Sequence, residues 1–281
     1  MASKHPDFKL VEGSRPDWDS TSAFHYTKTV APDWTAGSGA NASHARTGSG
    51  PDTPHIAIDP HAAGRPSGFN YKFLISSVVP RPIAFLATRS ADGTRNLAPF
   101  SYFNMMNHDP PMFAIGFSRG LVDGKDSLRN LAASRECTIN IISEGFVEAA
   151  NAACVNAPAG VSEWEIAGLT PLDDCKTVAV SRVKEAVVSI EGKVDSIREF
   201  ESKANPGTKS GAIVLIEGTQ FWAREDAINE EQNMVDPKIL RPISRLGGIT
   251  YGRTTDVIEI PRPDFDRDIG GMDGYNRLVK K

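Results

Sequence analysis

Apolar residues recur along this chain in two rhythms. Ile83-Ala84-Phe85-Leu86-Ala87-Thr88 and Met112-Phe113-Ala114-Ile115-Gly116-Phe117 are short, nearly unbroken apolar runs between turn residues, the pattern of buried strands. Glu136 to Ile142 is strand-like, Val187 to Val194 alternates, and Ala212 to Gly218 is a continuous run that goes on towards Phe221 and Trp222. Ser127 to Ser134 instead places Leu128, Leu131 and Ala132 at helical spacing, with Asp126 or Ser127 positioned to cap it. Phe146 to Cys154 reads as a second short helix. Many strands and few, short helices predict a mainly β fold, an antiparallel barrel or sandwich carrying helical insertions. No internal repeat is visible.

The two ends depart from this pattern. Residues 1–55 carry Pro6, Pro16, Pro32, Pro51 and Pro54 and the Gly/Ser/Ala/Asn-rich run Ala36 to Gly50, with no apolar periodicity. An irregular N-terminal arm is expected there, not a domain. Its aromatics, Phe8, Trp18, Phe24, Tyr26 and Trp34, are too many for an inert tail, so part of the arm should pack on the core or across a dimer. Residues 56–260 form the expected globular domain, and the polar, Gly-rich residues 261–281 an irregular C-terminal tail.

Composition narrows the partners. A length of 281 residues with 40% hydrophobic content suffices for a real core, and no apolar run approaches the length of a bilayer span. A net charge of -4 and a pI near 5.9, without a Lys/Arg stripe, argue against nucleic acid. The start, Met-Ala-Ser-Lys-His-Pro-Asp, has no apolar core behind its charges, so no secretory signal is expected. Cys137, Cys154 and Cys175 are odd in number and widely spaced, which fits a reducing compartment; a cytoplasmic protein is expected. The cysteines lack ligand spacing and the histidines fall singly, so no metal is expected. Gly37-Ser38-Gly39-Ala40-Asn41-Ala42 matches a dinucleotide fingerprint, but it lies in a Ser/Gly/Pro run and not between a strand and a helix, so it reads as linker. Asn41-Ala42-Ser43 is formally a glycosylation acceptor, irrelevant without secretion.

Two segments carry candidate chemistry. The strand Ile83 to Thr88 passes through a turn, Ser90-Ala91-Asp92-Gly93, into Asn96-Leu97-Ala98-Pro99-Phe100-Ser101-Tyr102-Phe103-Asn104. Small side chains, hydroxyls and backbone donors stand side by side there, as a wall for a flat heteroaromatic ring with a polar rim requires. Phe100 and Tyr102 have the opposite parity to Pro99, Ser101 and Phe103, so on a regular strand one set alone can face that ring. Lys125-Asp126-Ser127 precedes the helical pattern and offers a cation, a hydroxyl and free N-terminal amides, the set that a phosphate monoester needs. A plain helix cap with a solvated lysine would look the same in isolation.

Together with Pro80-Arg81-Pro82-Ile83-Ala84, His108-Asp109-Pro110-Pro111 and Pro242-Ile243-Ser244-Arg245-Leu246-Gly247-Gly248-Ile249-Thr250-Tyr251, these segments resemble the flavin reductase-like, FMN-binding split-barrel family of flavoredoxin type, over about Asn70 to Tyr251. The resemblance implies an antiparallel split β-barrel that forms a homodimer around FMN. It implies flavin contacts at Thr88, Asn96, Leu97, Ala98, Pro99 and Ser101, with Lys125, Asp126 and Ser127 against the flavin tail. Ser127 stands where the family usually has Thr and keeps the hydroxyl. Arg245 is implied at the phosphate or ribityl chain, from its own or the partner subunit, and Glu163-Trp164-Glu165 near the substrate opening. His108 lies in a loop that the family places near the flavin, which makes it the one catalytic candidate, although such a histidine is more often a turn residue. FMN is preferred over FAD because there is one phosphate site and no adenosine motif.

The activity implied is an FMN-dependent oxidoreductase. It takes hydride from NADH or NADPH onto FMN and passes electrons to a small acceptor, free flavin or a partner oxygenase. The rivals are a non-catalytic flavin electron carrier and a flavin-free split barrel acting as an interaction protein.

Overall fold

In a computed structural model, which describes residues 8–40, 53–158 and 160–279, the chain opens with α1 (Phe8–Gly13), β1 (His25–Thr27) and α2 (Ser67–Ser77). There follow β2 (Ala84–Arg89), β3 (Arg95–Phe100), β4 (Phe103–His108), β5 (Pro111–Phe117), α3 (Asp126–Ser134), β6 (Glu136–Ile141), α4 (Val147–Ala152) and α5 (Glu163–Ala167). The second half holds β7 (Pro171–Leu172), β8 (Arg182–Val183), the long pair β9 (Val188–Glu201) and β10 (Lys209–Ala223), α6 (Pro237–Leu240), β11 (Ile243–Arg245), β12 (Tyr251–Arg253), β13 (Asp256–Ile258) and α7 (Gly271–Val279).

Seven strands make one antiparallel sheet in the order β3-β2-β6-β9-β10-β5-β4. Its two edge strands, β3 and β4, are consecutive in the chain and joined only through Ser101 and Tyr102. The sheet therefore curls until its ends meet at this bend, where the Phe100 and Phe117 rings lie 4.7 Å apart. No ladder joins β3 to β4, so the barrel stays open there.

The strand β2 shows why its sequence lacks alternation. Ala84 and Leu86 point into the barrel with Ile115, Ile139, Val214 and Ile216, whereas Phe85 and Ala87 point outward into a second core with Phe146, Trp164 and Val183. A strand covered on both faces must be apolar on both. β6 splits differently: Cys137 and Ile139 enter the barrel, while Thr138 and Asn140 are buried on the outer side. Asn140 donates to the Phe85 carbonyl at 3.0 Å and accepts from the Val183 amide at 2.9 Å and the Ser189 hydroxyl at 2.7 Å. Those bonds satisfy a buried amide that would otherwise cost stability.

The ends are more ordered than their composition suggests. α1 and β1 lie in the arm expected to be irregular, and β1 pairs in parallel with β13, His25 opposite Asp256. The Arg253 guanidinium stands 3.9 Å from the Trp18 ring centroid, and Arg241 and Arg253 both bind Glu144, at 2.6 and 2.5 Å. The arm thus packs along the C-terminal segment of its own chain. The expected irregular tail contains a π turn, Phe265–Ile269, and then α7. Asp264 caps that turn by accepting from the Arg267 amide at 2.8 Å. Met272, Tyr275 and Leu278 recur at helical spacing, a signal hidden among the glycines. Leu278 lies so close to Gly37 that a Cβ there would come within 2.8 Å of it, and Gly37 also has a φ of +86°. The glycosylation acceptor Asn41-Ala42-Ser43 lies outside the described residues.

Candidate functional site

The site begins at the junction of β2, β3 and α3. Asn96 is buried on β3 and donates to the Ser127 hydroxyl at 2.9 Å and to the Thr88 hydroxyl at 3.3 Å. Thr88 also accepts from Asn130, at 3.1 Å, so three elements are joined by one polar network. Ser127 acts there as acceptor, which leaves its hydroxyl hydrogen available.

α3 opens without a side-chain cap. Lys125 occupies the cap position with extended backbone, Asp126 is the first helical residue, and neither Asp126 nor Ser127 caps the turn as the pattern had predicted. The Leu128 amide donates to the Lys125 carbonyl at 3.0 Å, which leaves the amides of Asp126 and Ser127 at the positive end of the helix dipole. Asp126 is neutralised by Arg129, which also donates to the Gly124 carbonyl.

A cleft of 470 Å³ lies over this helix start, lined by Asn96, Ala98, Arg119, Lys125, Ser127 and Glu163 among others. Among the described residues, neither Arg119 nor Lys125 has a carboxylate partner within ion-pair distance. A second cavity of 260 Å³ shares those two cations and is lined by Pro99, Phe100, Ser101 and Tyr102. Residues of both parities line it because the chain bends at Ser101 and Tyr102, so the alternation expected of a regular strand does not apply. Gly116 permits the bend: its amide donates to the Tyr102 carbonyl at 2.7 Å, and a Cβ there would come within 2.9 Å of the Tyr102 Cβ.

Of the residues singled out in the sequence, Asn96, Ala98, Lys125, Asp126 and Ser127 line the first cavity, and Pro99 and Ser101 the second. Thr88 lies beneath them, fully buried. Leu97 turns its side chain away into the outer core, and its amide donates to the Glu163 carboxylate at 3.3 Å. Arg245 stacks on Tyr251 at 4.3 Å and donates to the Gly248 carbonyl; it borders neither cavity. Its positive charge and that of Lys125 both act on Cys154, whose thiol is nevertheless pushed up by burial. His108 ends β4, five residues beyond Phe103, and pairs with Pro111 at the far end of the hairpin. At ~3.3 Å per residue that places it ~17 Å along the strand from the bend.

Arg119, Asn130 and Glu163 were not among the predicted contacts. Arg119 follows β5 in a turn with no local motif, and Asn130 looks like any polar helix position. Glu163 did carry a signal, Ser162 before Glu163-Trp164-Glu165. Ser162 indeed caps α5 by accepting from the Trp164 amide at 3.3 Å.

An antiparallel sheet opened between two consecutive edge strands, with a cleft at the opening that carries Arg119, Lys125 and Arg129 beside Asp123, Asp126 and Glu163, defines the split-barrel class. The flavin reductase like domain matches residues 76–238, and the chain belongs to that family. A relative from Halalkalibacterium halodurans is 34% identical over 201 residues, 71% of this chain and 93% of that protein. The chain is also similar to nitrilotriacetate monooxygenase component B from Bacillus cereus, with a TM-score of 0.69 and 28% identity over 74% of this chain and 100% of that one. Pseudomonas fluorescens 2-nitrobenzoate 2-nitroreductase gives a TM-score of 0.65 and 32% identity over 75% and 98%. These likenesses support flavin-related oxidoreductase activity. The residues present fit a flavin phosphate: two cations without carboxylate partners, an available hydroxyl and uncapped helix amides converge on one cleft. Among the described residues, no helix is long and apolar enough to cross a membrane.

Proposed function

We propose that this chain is a cytoplasmic, homodimeric, FMN-dependent oxidoreductase that draws hydride from NADH or NADPH and delivers electrons to a small acceptor, free flavin or a partner oxygenase. The observation that carries the reading is the pairing of Lys125 and Arg119 at the uncapped start of α3, in a cleft walled by Asn96 and Ala98. Bound FMN would supply the two-electron redox chemistry. Lys125, the Ser127 hydroxyl and the first-turn amides of α3 would hold its single phosphate. The Asn96–Thr88–Asn130 network fixes the wall, and Ala98 and Pro99 let backbone come close to a flat ring. Transfer between two aromatic systems is then mainly a matter of positioning, for which no side-chain acid is needed.

Component B of a monooxygenase and a nitroreductase among the similar structures support, respectively, a partner oxygenase and a small aromatic acceptor. For the dimer, support comes from an open apolar groove of 570 Å³ bordered by Leu74, Val78, Met106 and Phe200. The test is an absorbance spectrum of purified protein with the released cofactor identified by mass, followed by anaerobic NADH and NADPH. FMN, with visible bands that bleach on nucleotide addition, is the expected result. A colourless chain that takes up no FMN on titration would end the reading.

A further inference from the structure

The loop that carries Arg119 is held from outside its own segment. β9 and β10, of 14 and 15 residues, are far longer than β5, which has seven. Phe117, the last residue of β5, pairs with Ala212, and Ala212 pairs on its other side with Glu199. Beyond that row the β9–β10 hairpin has no β5 partner, and its sides press on residues 118–124, the loop between β5 and α3.

Two glycines permit the approach. A Cβ on Gly120 would come within 2.5 Å of the Glu199 carboxylate and 2.6 Å of the Lys209 Cβ, and one on Gly211 within 2.7 Å of the Phe117 carbonyl oxygen. Across this contact the Leu121 amide donates to Glu199 Oε1 at 2.7 Å. Leu121 packs against the barrel core, and the far end of the loop is tied to α3 by the bond from Arg129 to the Gly124 carbonyl. The loop is thus fixed on both sides, although the Arg119 side chain is exposed and borders both cavities. Glu199 does this without quenching that cation. Among the described residues no ion pair joins the two. The cation nearest in its field is Lys209, pushed up first by its bond to Glu201 and in smaller part by the charge of Glu199. A carboxylate that ordered the loop through Arg119 itself would neutralise the charge that an incoming anion needs; bonding a neighbouring amide avoids that.

We propose that Glu199 is a positioning residue: through the Leu121 amide it holds Arg119 beside Lys125 as a second free cation, and the β9–β10 hairpin thereby sets the preference of the cleft for a phosphorylated flavin over riboflavin. The proposal rests on the FMN reading. A cation already ordered before the phosphate arrives loses little freedom on binding.

Fluorescence titrations of FMN and riboflavin on the full-length protein test this. Glu199→Ala should raise the FMN dissociation constant about three- to tenfold, the range for losing one well-placed hydrogen bond, and the riboflavin constant less than about twofold. Glu199→Gln keeps an acceptor oxygen and should recover most of the loss. Glu199→Ala added to Arg119→Ala should weaken FMN no further, because the first acts through the second. Equal losses for the two flavins would mark a merely structural contact, and additive losses would mark independent residues. Either overturns the proposal, as does an unchanged FMN constant or a wild type that does not distinguish the two flavins. Wild-type protein that binds neither would sink the earlier reading instead. Amide hydrogen exchange over residues 118–124 then decides the brace: faster exchange in Glu199→Ala, restored in Glu199→Gln, upholds it, and unaltered exchange overturns it.

Discussion

Asn96 donates its side-chain amide to the buried hydroxyl of Ser127, 2.9 Å away, and so ties the wall strand β3 to the first turn of α3. The two residues are 31 positions apart, and their bond fixes where a ring-binding surface stands relative to a phosphate-binding helix end. Removing it leaves the buried Ser127 hydroxyl without that donor, while Thr88 keeps Asn130. Asn96→Ala should cost ~1–3 kcal/mol of stability. Urea unfolding checks this, and FMN retention should fall in parallel; an unchanged midpoint would show that the network is dispensable.

Lys125 is exposed and heads a helix, so Lys125→Ala should leave the fold intact. Loss of one charge-assisted bond should weaken FMN binding by ~1.5–3 kcal/mol. In the intact protein that binding should weaken with added salt, because the site is open to solvent. Fluorescence titration of FMN at two ionic strengths reads both effects. Equal affinity in the variant would remove Lys125 from the site.

Glu191 is fully buried and accepts from the Lys176 amide at 2.8 Å, the Thr177 amide and hydroxyl at 2.5 and 2.6 Å and the Trp222 indole at 2.7 Å. Burial by itself would raise its carboxyl, and these bonds together outweigh that and hold it low. A lowered folded value means that the stabilisation is fully present above the unfolded value, about 4.3. It is lost as pH falls through the lower folded value. Glu191→Gln should therefore be less stable than wild type at neutral pH and show a shallower loss on acidification. Parallel acid limbs in the two proteins would contradict this.

Glu144 joins the arm and C-terminal segment to the core by binding Arg241 and Arg253 together, with Trp18 stacked on Arg253. Burial by itself would raise its carboxyl; the hydrogen bonds and charges of the two arginines outweigh that and hold it low. Glu144→Ala leaves two arginines facing each other and should cost about 3 kcal/mol. The local sign should be faster proteolytic cleavage within residues 8–40, with the barrel core protected. Unaltered cleavage kinetics would mean that the arm is held elsewhere.

Steady-state kinetics should be ping-pong, since nucleotide and acceptor are proposed to use the same opening in turn. His108→Ala should change the rate of anaerobic bleaching by NADH or NADPH less than ~10-fold, below the usual contribution of a general acid or base. Its place at the far end of β4 gives the reason. A larger loss would bring His108 into the mechanism.

The strands were legible because burial leaves a mark on the residues that suffer it. Ile83 to Ala87 is apolar at every position because both of its faces are covered, and the start of α3 was legible from the spacing of Leu128 and Leu131, although neither Asp126 nor Ser127 caps it. α7 and the arm were less legible: Leu278 of α7 lies against Gly37 and Trp18 of the arm against Arg253 of β12, partners that lie across most of the chain. Periodicity within one segment does not report a partner that distant.

The sequence by itself determined the β-rich core and the short helices, because each depends on neighbours a few residues away. Only the tertiary structure decided that Leu97 turns outward under Glu163 and that Arg119 joins Lys125 at one cleft. Those relationships depend on how a curled sheet brings its edges together at the Ser101–Tyr102 bend. That bend is permitted by the close approach of Gly116 to Tyr102, a contact between strands that no single stretch of sequence contains.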